Sequence, residues 1–216
     1  MKIFYSVQNF ISKKWIYDAI VSMSLILSHN DNVQFYVYYD TEETKNIISE
    51  YVSDVIFIKD EWSESFSKRL TMPFIYLGSG ILNIFHAMMN YEDFLYLDTD
   101  IYCFDKIQFD KVKNLGAIKT KDSFYSRCVM YCNKVNAEER LQELPIINEG
   151  CLFQDEIILN NNFKDVLQPL QIKGLKHFGN TDSFRKKKNI NFDIFNKIIN
   201  LGCNYYEYLN YIKGID

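Results

Sequence analysis

The sequence predicts an α/β protein with a mixed, mainly parallel sheet flanked by helices, and three observations carry that expectation. Strand-like runs rich in β-branched and aromatic residues alternate with segments of helical period through the N-terminal part of the chain. The run "FLYL", Phe94 to Leu97, is wholly apolar and reads as a buried strand. The 216 residues are 48% hydrophobic and 16% aromatic, with 17 Phe and 16 Tyr, enough to bury one sizeable core.

The elements follow in order. Lys2 to Val7 is a short strand, and Trp15 to His29 carries apolar residues at helical spacing. "NVQFYVYYD" is a second strand ending at Asp40, after which "TEETKNIISEY" reads as a helix capped by Thr41, with Thr44 in its first turn. "DVIFIKD" is a third strand. Such repeats imply a parallel sheet with right-handed crossovers. Trp62 to Pro73 reads as loop, and Phe74 to Met89 as a helix despite its interior "GSG"; it delivers the chain to "DFLYLDTD". Beyond that strand the alternation stops. "LGAIKT" and "RCVMYCNK" read as strands, and "NAEERLQEL" as a helix opened by Asn136. Asp155 to Leu170 reads as a helical stretch broken by Pro169, and the tail from Asn189 as one or two helices.

We expect one domain over 1–216, with a nucleotide-binding half at about 1–105 and a catalytic, acceptor-binding half at about 106–216. The balance of 24 Lys plus Arg against 28 Asp plus Glu gives a net charge of -4 without a basic stripe, which argues against a nucleic-acid surface. The one basic run, "RKKK" at Arg185 to Lys188, is too short for that role. No apolar run is long enough to span a bilayer, and the N-terminus has no secretory h-region. A cytoplasmic location is therefore expected. The five cysteines lack a zinc-type spacing and read as reduced and structural.

The chemistry concentrates in "FLYLDTDIYCF". In an open parallel sheet, ligands bind beyond the carboxyl ends of the strands, where Asp98 and Asp100 fall. Residues two apart in an extended segment share a side, so both carboxylates can face one object, and a divalent cation relieves their repulsion. The alternative is an Asx turn with no ligand.

The segment resembles the Asp-x-Asp strand of nucleotide-sugar glycosyltransferases of the GT-A, Rossmann-like fold. Among them it is similar to the retaining glycosyltransferase family 8, the glycogenin-like and bacterial galactosyltransferase-like enzymes. "DEIILN", Asp155 to Asn160, is similar to that family's Asp-Gln-Asp-x-Leu-Asn motif, with Glu156 in place of the Gln, and "LKHFGN", Leu175 to Asn180, to its late His-Phe motif. The resemblance runs from Lys2 to about Lys187. Where the family has Asn-Ser-Gly, this chain reads Ser126-Arg127-Cys128, or "NEG" at Asn148 to Gly150, and the Lys-Pro-Trp expected after the histidine is missing.

The resemblance implies a metal-dependent transferase moving a sugar from a UDP-sugar to the hydroxyl of a glycan, glycoprotein or glycolipid acceptor, with retention of configuration. It implies Mn2+ or Mg2+ held by Asp98, Asp100 and His177. For the nucleotide it points to the first strand's exit, Ser6, Val7, Gln8 and Asn9, to Asp40, Arg69 and Thr99, and to Arg185 and Lys186 closing over the diphosphate. For catalysis it points to Asp155 or Glu156. Each has a plainer role open to it: Asp40 as a helix cap, Asp155 as the acid of a helix N-terminus, His177 as a hydrogen-bonded surface residue, and Arg185 to Lys187 as a solvated loop. Two rivals share the sheet. A sugar-nucleotide nucleotidyltransferase would want a Gly-rich first loop, which "SVQNFISKK" is not, and a non-catalytic binding module would lose nothing when Asp100 is replaced.

Overall fold

Every side chain of the first strand after Lys2 is buried, because the strand lies in the middle of a sheet covered on both faces. In the computed structural model, which describes residues 1–9, 13–61, 72–119, 125–135, 137, 140 and 154–177, β1 (Lys2–Val7) pairs in parallel with β2 (Gln34–Tyr39) on one side and β4 (Phe94–Leu97) on the other. Beyond β2 lies β3 (Val55–Lys59), also parallel. Beyond β4 the sheet changes direction: β7 (Tyr125–Cys132) is antiparallel to β4, and β6 (Leu115–Lys119) is antiparallel to β7. The short β8 (Leu167–Pro169) closes that side, parallel to β6. The order is β3-β2-β1-β4-β7-β6-β8, a mixed sheet whose N-terminal half is parallel, as the β–α repeats predict. A two-stranded antiparallel ribbon of β5 (Ile101–Phe109) and β9 (Ile172–His177) stands apart from it.

Alternate side chains of β1 serve two cores. Ile3, Tyr5 and Val7 pack with α1 (Lys14–His29), with Ile48 of α2 (Glu42–Tyr51) and with the start of β5. Phe4 faces the other way, among Ile81, Phe85 and Met88 of α3 (Met72–Asn90) and Leu159 of α4 (Gln154–Asn162). Its ring stacks on Tyr36 at 4.4 Å between centroids and meets Phe94 at 4.6 Å. This two-sided burial explains why the strands read as continuous apolar runs rather than as alternating ones. Thr41 caps α2 as expected, accepting a hydrogen bond from the Thr44 backbone N–H at 3.2 Å. Among the described residues no helix is long and apolar enough to cross a membrane.

One expectation is overturned. The stretch from Asp155 to Leu170 is not a single helix: α4 stops at Asn162, a turn follows, and the chain then forms β8 and β9. Leu170 N–H donates to the Ala117 carbonyl at 2.9 Å, so pairing with β6 takes this segment out of the helix. In β9, Gly174 has φ +86°, and a Cβ there would lie 2.6 Å from the Lys106 carbonyl oxygen. Only glycine fits this crossing of the ribbon, where the register shifts between Cys103 and Gln108. The helix expected from Asn136 lies largely outside the described residues, as does the tail from Asn189.

Candidate active site

The carboxyl end of β4 is extended by one more ladder bond, from Asp98 N–H to the Cys128 carbonyl at 2.9 Å, and then the chain turns. Ile101 N–H closes that turn on the Asp98 carbonyl at 3.1 Å. Asp98 and Asp100 therefore flank a tight turn rather than an extended segment, which corrects the geometric premise above. Thr99 is 1% exposed, and its buried hydroxyl oxygen has no hydrogen-bond partner among the described residues. The two acids meet different partners. Arg127 on β7 donates from Nη1 to Asp98 Oδ1 at 2.8 Å, and the Tyr96 hydroxyl lies between them, 3.4 Å from each. The side chains of this ion pair are 7% and 18% exposed.

Asp100 faces His177, whose Nε2 lies 3.4 Å from Asp100 Oδ1. The ribbon makes this meeting: His177 is the register partner of Ile101, the residue after Asp100. Ile101 is itself tied down, because its carbonyl accepts from the Ser22 hydroxyl on α1, which also bonds the buried Tyr5 hydroxyl at 2.7 Å. Asp100 holds the His177 imidazolium above the usual histidine range; partial burial opposes this, and the charges of Asp98 and Glu156 add to it.

Glu156 belongs to the same cluster. The Ser126 hydroxyl donates to its Oε1 at 2.6 Å, and α4 is registered on β7 one turn further on. There Asn160 accepts from Tyr125 N–H at 2.8 Å and donates to the Tyr125 carbonyl at 2.7 Å. Asp155 lies in the first turn of α4, and its side chain falls outside the described residues. β7 thus presents Ser126 to Glu156 and Arg127 to Asp98, which places the Ser126-Arg127-Cys128 stretch at the site. Burial, reinforced by Asp98, pushes the Cys128 thiol up to about 11, so it stays protonated at neutral pH.

The first strand's exit turns inward. Ser6 and Gln8 are 4% and 0% exposed. Gln8 donates to Asp60 Oδ2 at 2.8 Å, while Asn83 on α3 bonds both Asp60 Oδ2, at 3.0 Å, and the Ser6 hydroxyl, at 2.9 Å. Val7 is buried as well, and Asn9 N–H donates to Asp40 Oδ2 at 2.6 Å. The other oxygen of Asp40 accepts from Thr41 N–H and from the Thr44 hydroxyl, so Asp40 joins the exit of β1 to the start of α2. Asp60 and Asn83 escaped the sequence reading: each looks like an ordinary polar residue beside an apolar run, and only tertiary apposition reveals them. Arg69, Arg185 and Lys186 lie outside the described residues.

The oxygen-plus-imidazole chemistry of Asp100 and His177 fits Mn2+ or Mg2+. Asp98 is turned to Arg127, and among the described residues no three His, Cys, Asp or Glu side chains converge on one point. The pair makes a pH prediction whose two parts run in opposite directions. Because the folded His177 value is raised, the Asp100–His177 contribution to stability is complete below about pH 6.5 and is lost as pH rises through the folded value. Any divalent-ion affinity of the pair would increase over the same window, since an imidazole binds a cation only after losing its proton. In EDTA, the melting temperature of the wild type should fall across this window more than that of His177→Gln, while Mn2+ binding to the wild type strengthens.

No protein-family profile and no curated protein sequence matches the chain. Solved structures do. An active-site mutant of LgtC superposes with a TM-score of 0.60 at 17% identity, covering 78% of this chain and 72% of that one. The glycosyltransferase GlyE of Streptococcus pneumoniae gives 0.53 at 18% identity, covering 79% of this chain but only 45% of GlyE. Mouse xyloside xylosyltransferase 1 gives 0.51 at 10% identity, covering 79% and 86% of the two chains. The chain has the GT-A glycosyltransferase fold, as its motifs anticipate.

Proposed function

We propose that the protein is a metal-assisted glycosyltransferase that moves a sugar from a UDP-sugar to an acceptor hydroxyl with retention of configuration. One observation supports the reading: the turn at the carboxyl end of the central strand β4 carries Asp98 and Asp100, with His177 of β9 facing Asp100, at the position where this sheet type binds ligands. LgtC, described as a galactosyltransferase, has been solved with donor and acceptor sugar analogues.

In this mechanism the backbone at the exit of β1, residues 6–9, receives the base, since the Ser6 and Gln8 side chains are committed to Asp60 and Asn83. Asp100 and His177, with Asp98, are the residues that would hold a divalent ion. When bound, that ion neutralises charge growing on the leaving diphosphate. Glu156, oriented by the Ser126 hydroxyl, and Asp155 stabilise positive charge at the anomeric carbon, as carboxylates do for oxocarbenium-like centres. Arg185 and Lys186 are assigned to the diphosphate.

Calorimetric titration of UDP in Mn2+ and in EDTA, with GDP and CDP as controls, tests the assignment. Mn2+-dependent UDP binding is expected. Binding of another nucleotide would reassign the donor, and binding of none would leave a non-catalytic module of this fold.

A further inference from the structure

We infer that Arg127 suppresses divalent-ion binding in the nucleotide-free protein, so that ion and nucleotide enter the site together. The inference rests on the functional reading above, but it comes from an ion pair that the reading does not use. Arg127 lies on β7, whose antiparallel pairing with β4 sets Val129 opposite Leu97 and carries the ladder on to Asp98. Its guanidinium is therefore delivered to Asp98 by the sheet itself, and it cannot shed its charge by losing a proton.

The charges facing the ion's position decide the outcome. Asp98 and Asp100 make the pair of carboxylates, Glu156 lies close enough to act on His177, and His177 opposes Asp100. Against them stands Arg127, its Nη1 at 2.8 Å from Asp98 Oδ1 and its side chain 7% exposed. A carboxylate neutralised at that distance in a poorly solvated position attracts a second cation weakly, and the second cation meets the guanidinium as a like charge. Asp100 is the member of the pair that faces His177 instead of the guanidinium. A nucleoside diphosphate supplies the missing negative charge. It offsets the guanidinium and contributes ligand oxygens of its own, the usual way in which hard divalent ions complete their shell.

The test follows free Mn2+ by electron paramagnetic resonance during titration of the full chain, with and without UDP, in the wild type, Arg127→Gln and Arg127→Lys. In the wild type, UDP is expected to raise Mn2+ affinity by about 50-fold or more, and Mn2+ to raise UDP affinity by the same factor. Arg127→Gln should bind Mn2+ alone about tenfold more tightly and show correspondingly weaker coupling, while Arg127→Lys, which keeps the charge, stays within about threefold of wild type. Unchanged or weaker Mn2+ affinity in a folded Arg127→Gln overturns the inference. Should that variant not fold, the wild type decides, because a UDP effect below about fivefold overturns it too. Absence of UDP binding under every condition would instead sink the proposed function, and the comparison in Mn2+ alone would still judge Arg127.

Discussion

Asp100→Ala is expected to abolish Mn2+-dependent UDP binding and to slow UDP-sugar turnover by about a hundredfold to a thousandfold, the scale of losing one electrostatic stabiliser of a transition state. Asp98 is held by Arg127, which leaves Asp100 as the carboxylate of the pair that faces His177. Its removal takes away the charge that attracts the ion and the partner that orients the imidazole. A second reading separates this from simple unfolding. The His177 imidazole, followed by nuclear magnetic resonance, should titrate lower in the variant, because the main cause of its raised value is gone. The site lies on a turn outside the apolar core, so at a pH above the window in which the Asp100–His177 pair contributes to stability the melting temperature should move little. Turnover within about threefold of wild type would remove Asp100 from the machinery.

Asp60→Leu should have the largest effect on stability, about 2–4 kcal/mol in urea denaturation, with a folded baseline that still reports an intact sheet. The carboxylate is 3% exposed and accepts from Gln8 and Asn83, both 0% exposed. Leucine keeps the branched shape, though it is bulkier, and leaves two buried amide donors without that acceptor. Asn83→Leu alone should cost less, since Gln8 keeps its bond to Asp60. If Asp60→Leu is as stable as wild type, the network is not holding the β1 exit.

The parallel half of the fold was legible in the sequence because its inner strands β1 and β4 are covered on both faces, so apolar runs and helical periods map directly onto elements. Thr41 announced its helix through local chemistry alone. The position of the site was legible for a related reason: acids directly after a wholly apolar run must emerge at a strand end. The shape of the site was not. The turn between Asp98 and Ile101 cannot be told from an extended segment by residue type, and the Arg127–Asp98 contact joins strands whose pairing the sequence does not state. Arg127 left one trace, a charged residue at the head of the otherwise apolar run "RCVMYC". The segment after Asn162 was misread because "LQPLQIKGLKH" suits a helical and a strand period about equally, and a long-range bond to Ala117 decides between them.

The ribbon of β5 and β9 has a bearing on how the molecule is made. His177 reaches Asp100 only through pairing between strands separated by β6, β7, α4 and β8 in the chain, and closing so long a loop carries an entropic cost that local contacts do not offset. Synthesis runs from the N-terminus, so β1, β2 and the Asp-Thr-Asp turn leave the ribosome while the histidine strand does not yet exist. A nascent chain at that stage carries both acids without the imidazole that completes the proposed ion site. In this protein the Asp100–His177 pair can form only after β9 has emerged and found β5.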